Sequence, residues 1–306
     1  MDPRHLSIPG SHDWQTVTPI LKGWSSDLKF VVTTPTRGSF LLRLFSLKHM
    51  HRKLDEYRVM TRLYDAGIPV NRPIDLGPCS DQEHGYLLCT WIDGEDLIDV
   101  LPQLHPVEQR QLGLQAGALL AKVHACAPLH PLPDWEAHFN AKLDRKIANA
   151  LACPQALPGR DELIRYIQAN RVRLAHRPVC LHHGDFHVGN LLLQPNGQLA
   201  LIDLNRFDAG DPWEEFNRIV WDAQNSPEFA SGRIDGYFNQ RIPEGFFPLL
   251  ALYIASNALS SVPWAIPFGE TEVKVMQKQL LDIQSWYDHM TQTRPSWYTP
   301  TQQSGS

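Results

Sequence analysis

Two carboxylates and a carboxamide in one short stretch are the side chains best suited to chemistry. The segment His182-His183-Gly184-Asp185-Phe186-His187-Val188-Gly189-Asn190 is followed by Leu191-Leu192-Leu193, then Gln194-Pro195-Asn196-Gly197-Gln198, then Leu199-Ala200-Leu201-Ile202 and Asp203. The apolar runs on either side of Asn-Gly predict a β-hairpin. Such a hairpin brings Asn190, before its first strand, close to Asp203, after its second. Asp185 precedes Asn190 by five positions on a loop whose Gly184 and Gly189 permit unusual backbone angles. Oxygen donors of this kind suit a hard cation such as Mg2+, with one carboxylate left over as a base.

Each residue also has a plainer reading. Asp185 can cap a turn, and Asn190 can satisfy its own backbone at a strand edge. A third reading takes His183, Asp185 and His187, alternate residues sharing one face of an extended segment, as a transition-metal site in a hydrolase. No further cluster of His or Cys downstream completes such a site.

The spacing Asp-x4-Asn, with a second Asp after a hairpin, resembles the protein-kinase catalytic loop and its metal-binding Asp. His183-Gly184-Asp185 in place of His-Arg-Asp, Ile202-Asp203-Leu204-Asn205 in place of Asp-Phe-Gly, and the later Gly210-Asp211-Pro212 together resemble the aminoglycoside phosphotransferase and choline kinase-like family of small-molecule kinases. That resemblance implies a two-lobed, protein-kinase-like α+β fold with a small β-rich N-lobe and a larger, mainly helical C-lobe. It implies Asp185 as catalytic base, Asn190 and Asp203 as ligands of Mg2+, and ATP as phosphoryl donor to a hydroxyl of a small molecule. A catalytically silent nucleotide-binding protein of the same fold is the alternative. A protein substrate is disfavoured because no Ala-Pro-Glu follows the metal-binding Asp.

These residues need elements to position them. Thr16–Leu21, Phe30–Thr33 and Ser39–Phe45 read as strands, after some 15 polar, Pro-rich residues expected to be irregular. By the resemblance, the connection from Lys22 to Lys29 covers the ATP phosphates, with Ser25 and Ser26 as hydroxyl donors; an ordinary hairpin turn is its plainer reading. Arg43 stands where kinases place the lysine that contacts those phosphates. Met50, Leu54, Tyr57 and Met60 recur at helical spacing up to a natural stop at Gly67. On that helix Glu56, with Asp55 as competitor, corresponds to the kinase glutamate paired with the strand-three cation. Gly85 to Gly94 reads as a strand running into a hinge, where backbone groups of Thr90, Trp91 and Ile92 would meet the adenine edge. Further on, Pro106 opens a helix with a core stripe of Leu112, Ala116, Leu119 and Val123, and Asp161–Leu174 is another helix. Asp211 is expected to cap the helix opened by Pro212 and to support the catalytic loop. The family more often has Asp at position 215, a departure expected to alter only packing. These elements divide the chain into residues 1–92, a nucleotide-binding lobe, 93–290, a catalytic and substrate lobe, and 291–306, a tail expected to be disordered.

Composition narrows the class. The 306 residues are 43% hydrophobic and 20% charged, enough for a substantial core and about two domains. The net charge of -5 offers nucleic acid no general attraction. No apolar run of membrane-spanning length is read, and the opening Met-Asp-Pro-Arg-His does not have the pattern of a signal peptide, so a cytoplasmic protein is expected. The five scattered cysteines are expected to be reduced and mostly buried. Between Leu201 and Gln240 eight acids face three arginines, which favours a cationic acceptor such as an amino sugar. Trp264 and Phe268 are candidates for lining its pocket. The sequence does not specify an oligomeric state.

Overall fold

The computed structural model describes residues 2–22, 26–130 and 134–300. Its contacts divide the chain into Met1–Asp96 with Leu191–Phe207, and Leu97–Asn190 with Asp208–Ser306. The hairpin after Asn190, which a linear division assigns to the C-terminal lobe, thus packs with the N-terminal unit.

The first unit is built on an antiparallel sheet of β1 (Thr16–Ile20), β2 (Leu28–Thr34), β3 (Gly38–Ser46), β4 (Pro73–Pro78) and β5 (His84–Thr90), in the order β1-β2-β3-β5-β4. Strand alternation sends Phe30, Val32, Leu42, Leu44, Tyr86 and Leu88 to one face, where they form a core with Leu6, Ile8, Trp14 and Cys79. Residues 2–15 are therefore not loose: short 3-10 turns anchor Leu6, Ile8 and Trp14 in that core. On the other face, Lys29 pairs in register with Arg43, so their side chains lie next to one another. Helix α1 (Met50–Asp65) buries Glu56, Val59, Met60 and Leu63 and ends before Gly67, whose φ of 73° closes the turn. A smaller sheet, β6 (Glu95–Asp96), β8 (Leu191–Leu193) and β9 (Leu199–Leu201), carries the Asn-Gly hairpin, with Gly197 at φ 78°.

The second unit is helical apart from a two-stranded ribbon of β7 (Cys180–His182) and β10 (Asp208–Gly210). Its helices are α2 (Leu97–Val100), α3 (Pro106–His124), α4 (Trp135–Leu151), α5 (Arg160–Asn170), α6 (Ile219–Asn225), α7 (Pro227–Tyr237), α8 (Phe246–Ala265) and α9 (Glu270–Trp286). The start of α3 fits its sequence: Pro106 takes the first position, and Glu108 accepts the His105 N–H at 2.8 Å. Glycines set the closest helix contact. A Cβ at Gly117 would come within 2.1 Å of the Arg233 carbonyl oxygen, and one at Gly236 within 2.2 Å of that of Leu114, so α3 and α7 pack backbone against backbone. Helix α8, with the turn to Phe268, is long and apolar enough to cross a membrane, contrary to the reading from sequence, but 72% of its most apolar window is buried within the protein. Polar Ser256, Asn257, Ser260 and Ser261 interrupt the apolar run and mask its length.

The segment 291–300 is packed rather than disordered. Trp297 and Tyr298 are buried, and the Tyr298 hydroxyl donates to Asp235 at 2.7 Å. Their large apolar area outweighs the polar composition around them. Residues 301–306 lie outside the described residues.

Candidate active site

In the first unit, β3 and α1 bring charges together in the interior. Arg43 Nη1 donates to Glu56 Oε1, while its Nε and Nη2 donate to Asp27 Oδ2 at 3.1 and 2.6 Å. Lys53 Nζ joins the same carboxylates, 2.6 Å from Asp27 Oδ2 and 2.9 Å from Glu56 Oε2. Burial raises the Asp27 pKa, but the charges of Arg43 and Lys53 outweigh it and hold Asp27 below the ordinary carboxylate range. The competitor of Glu56 on the helix, Asp55, instead meets Arg58 at 3.2 Å and His51 at 3.8 Å.

Asp203 follows β9 in the left-handed region, φ 63° and ψ 59°, a conformation strained for a residue with a Cβ. Lys29 Nζ stands 3.6 Å from its Oδ2, and its Oδ1 is buried with no hydrogen-bond partner among the described residues. A buried carboxylate oxygen left unpaired is costly, and its chemistry suits a hard cation. Arg52 fixes the following turn by donating to the carbonyls of Asn205 and Phe207 at 3.2 and 2.5 Å while stacking on the Phe207 ring.

The candidate adenine edge is partly committed to the sheet. Thr90 N donates to Arg72 O and Thr90 O accepts from Asn71 Nδ2, each at 2.9 Å, while Trp91 N donates to Ser39 O at 3.3 Å. Ile92 follows beyond the strand, in the stretch before β6. Ser26 is exposed in the turn before β2, and Ser25 lies outside the described residues.

In the second unit, the loop from His183 to Asn190 leaves β7 and is held from several sides. Gly184 has φ 86°, which a side chain would strain. Glu215 accepts from His183 N at 3.0 Å, from Gly184 N, and from His124 Nε2 at 2.9 Å. The Tyr237 hydroxyl lies 2.9 Å from His124 Nδ1, a pairing that suits a neutral imidazole with its proton on Nε2. Burial lowers the His124 pKa, consistent with that form. Burial alone would raise Glu215, yet the hydrogen bond from His124 leads the effects that outweigh it and hold Glu215 at about 2. At the other end of the loop, Asp222 accepts from Val188 N at 2.7 Å and from Arg233 Nη1 at 2.6 Å. The Arg233 guanidinium is fully buried over the Phe186 and Phe216 rings.

Asp185 itself is 3.2 Å from Arg218 Nε and 3.9 Å from His187 Nε2. Asn190 Nδ2 donates to Asp185 O at 2.8 Å, which turns its carboxamide oxygen away from that carbonyl. The His183–Asp185–His187 metal reading fares poorly in this geometry. His183 Nδ1 and His187 Nδ1 accept backbone N–H groups from Asp185 and Gly189, so those lone pairs serve the turn. Among the described residues, the buried group gathered at ligand distances is His124, Cys180 and His182. Its imidazoles are already bonded to Glu215, Tyr237 and the Asp211 carbonyl.

Asp211 does not cap a helix opened by Pro212: helical turns begin only at Glu214, and Asp211 Oδ1 instead accepts from Trp213 N at 3.0 Å within the preceding turn, with Arg177 and Tyr253 on the same carboxylate. Glu215, where the family more often has Asp, anchors the backbone of the His183–Asn190 loop. The acids between 201 and 240 do not form an open acidic surface. Asp211 pairs with Arg177, Glu214 with Lys142, Asp222 with Arg233, and Glu228 and Asp235 with Arg110. They are internal counter-ions, so their number no longer argues for a cationic acceptor. Trp264 and Phe268 stand together at the end of α8, ring centroids 4.8 Å apart. All five cysteines are free thiols, three of them buried, and burial raises Cys79 and Cys89 to about 11 and 12.

A β-sheet unit with a buried cation–glutamate pair, a helical unit and an Asp-x4-Asn loop define a kinase-like fold. Residues 16–246 match the model of the Phosphotransferase enzyme family (APH), and the chain belongs to that family. Solved structures with the same fold include a thermostable mutant of aminoglycoside phosphotransferase APH(4)-Ia in its apo form, 18% identical, covering 88% of this chain and 94% of that one, with a TM-score of 0.67. A choline/ethanolamine kinase family protein from Mesorhizobium loti is 14% identical over 95% of this chain and 97% of its own, TM-score 0.68. Amicoumacin kinase hAmiN in complex with AMP-PNP, Ca2+ and Ami is 15% identical over 94% and 91%, TM-score 0.65. No curated protein matches the chain.

Proposed function

We propose that the protein transfers the γ-phosphoryl group of ATP to a hydroxyl of a small molecule. The observation that carries this reading is the buried Oδ1 of Asp203, without a hydrogen-bond partner among the described residues, on a strained turn in a chain of a phosphotransferase family whose Asp185 loop is independently fixed. Asp185 orients the acceptor hydroxyl and takes its proton. Arg218 Nε stands 3.2 Å from the Asp185 carboxylate and helps to hold it in place. Asn190 through its carboxamide oxygen and Asp203 through Oδ1 are the residues that would hold Mg2+. The ion supplies neutralisation of phosphate charge. Glu215 and Asp222 contribute by holding the backbone on either side of Asp185, so that little reorganisation is needed during transfer.

The nucleotides named in complexes of structural relatives, ADP and AMP-PNP, support ATP as the donor. The test is ADP release from Mg-ATP across a panel of aminoglycosides, macrolides, choline, methylthioribose, homoserine and simple sugars, with Asp185→Asn as control. Acceptor-dependent release that falls by roughly 10^2- to 10^4-fold in the mutant is expected. Near-normal turnover in Asp185→Asn would remove its assignment as base.

A further inference from the structure

We infer that Lys29, on β2, is the lysine that meets the nucleotide phosphates, and that Arg43 is a fixed internal cation rather than a phosphate ligand. This rests on the nucleotide-binding reading above and changes which residue carries it.

Arg43 is occupied. Three of its N–H groups are spent on Asp27 and Glu56, and Lys53 bonds the same two carboxylates. The side chains are 5%, 6%, 1% and 7% exposed for Arg43, Asp27, Glu56 and Lys53, so two cations and two anions form a balanced group inside the unit. Drawing Arg43 onto a phosphate would leave Asp27 or Glu56 short of a partner in a buried setting, which is strongly unfavourable. The rigid fork of a guanidinium that already spans two carboxylates has little freedom to turn elsewhere.

Lys29 has the opposite character. It stands directly across from Arg43 in the β2–β3 register, on the same face of the sheet. Its side chain is 15% exposed, so it reaches solvent. The carboxylate it meets, Asp203, is 3.6 Å away, close enough for attraction and too far for a hydrogen bond. A lysine ammonium is a compact charge on a flexible stem, able to exchange one anion for another without breaking a packed network. Lys29 therefore neutralises Asp203 in the nucleotide-free protein. When nucleotide binds, the ammonium exchanges that carboxylate for a phosphate oxygen. The side chain that the β3 position would normally supply is thus provided from β2, one strand over.

The experiment measures binding of adenosine, ADP and ATP, with and without Mg2+, to the full chain by titration calorimetry, alongside thermal unfolding. Wild-type protein is expected to bind ADP and ATP more tightly than adenosine. Lys29→Met should lose about ten- to a hundredfold in affinity for ADP and ATP, the range of a charge-assisted hydrogen bond, and keep its adenosine affinity and melting temperature. Lys29→Arg should recover part of the loss. Arg43→Lys should lower the melting temperature while keeping the preference for ADP over adenosine. If Lys29→Met retains the wild-type preference for phosphates, or Arg43→Lys abolishes it in a folded protein, the inference is overturned and the nucleotide-binding reading stands. If wild-type protein itself binds ADP no better than adenosine, that reading fails and the inference falls with it.

Discussion

Replacing Glu215 by Gln keeps the size of the side chain and removes its charge. The carboxylate now accepts from two consecutive backbone N–H groups, His183 and Gly184, and from His124 Nε2, all in the interior. A carboxamide has one acceptor oxygen, so its NH2 end must face at least one of these donors. A buried donor left unpaired costs about 1–3 kcal/mol, and the loss of charge assistance adds to this, giving about 3–5 kcal/mol in all. That is a large share of the roughly 5–15 kcal/mol typical of a folded domain. The effect should depend on pH. The Glu215 pKa is held at about 2 against an ordinary 4.5, a difference worth about 3 kcal/mol. Its folded-state value is below the unfolded one, so the unfolded chain takes up the proton first as pH falls. The stabilisation is complete above about pH 4.5 and is lost on the way down to pH 2. Urea unfolding at pH 7 and at pH 3 is the assay. A large wild-type advantage over Glu215→Gln at pH 7, shrinking at pH 3, is expected, together with reduced turnover from a displaced Asp185. An equal midpoint at pH 7, or a gap that does not change with pH, would refute the anchoring role.

Asp203→Asn should abolish the Mg2+ dependence of nucleotide binding, and calorimetry showing unchanged metal dependence would rule out Asp203 as a ligand. Asp222→Asn leaves the buried Arg233 guanidinium without its counter-charge and should cost about 3–5 kcal/mol in urea unfolding; a loss below 1 kcal/mol would mean that the pair is dispensable. Gly236→Ala places a methyl 2.2 Å from the Leu114 carbonyl oxygen and must push α7 from α3, at a cost of about 1–3 kcal/mol. An unchanged melting temperature would show that the two helices are not in backbone contact.

Much of the secondary structure was legible locally. The alternation around Phe30 and Val32, the helical spacing from Met50, and Asn196-Gly197 between apolar runs all act within a few residues, and each gave the element observed. The tail was misread because two aromatics, Trp297 and Tyr298, outweigh the polar residues between which they stand. The N-terminal residues were misread for the same reason, with Leu6, Ile8 and Trp14 as the anchors.

By itself, the sequence determined the class of protein: the order and spacing of Asp185, Asn190 and Asp203 are covalent facts, and hairpin and loop chemistry turns them into local geometry. Only the tertiary structure decided the charge partners. Which acid meets which base depends on groups far apart in the chain, as Arg110 and Glu228 or Arg177 and Asp211 are, and no periodicity encodes that choice. This is why the hold of Glu215 on two backbone N–H groups was not legible, why the acids after Leu201 looked like an open surface, and why Asp27 and Lys53 were not foreseen beside the expected Arg43–Glu56 pair. Burial makes unpaired charge costly, so folding pairs such groups wherever the chain brings them together, and a list of residues in order cannot show where that is.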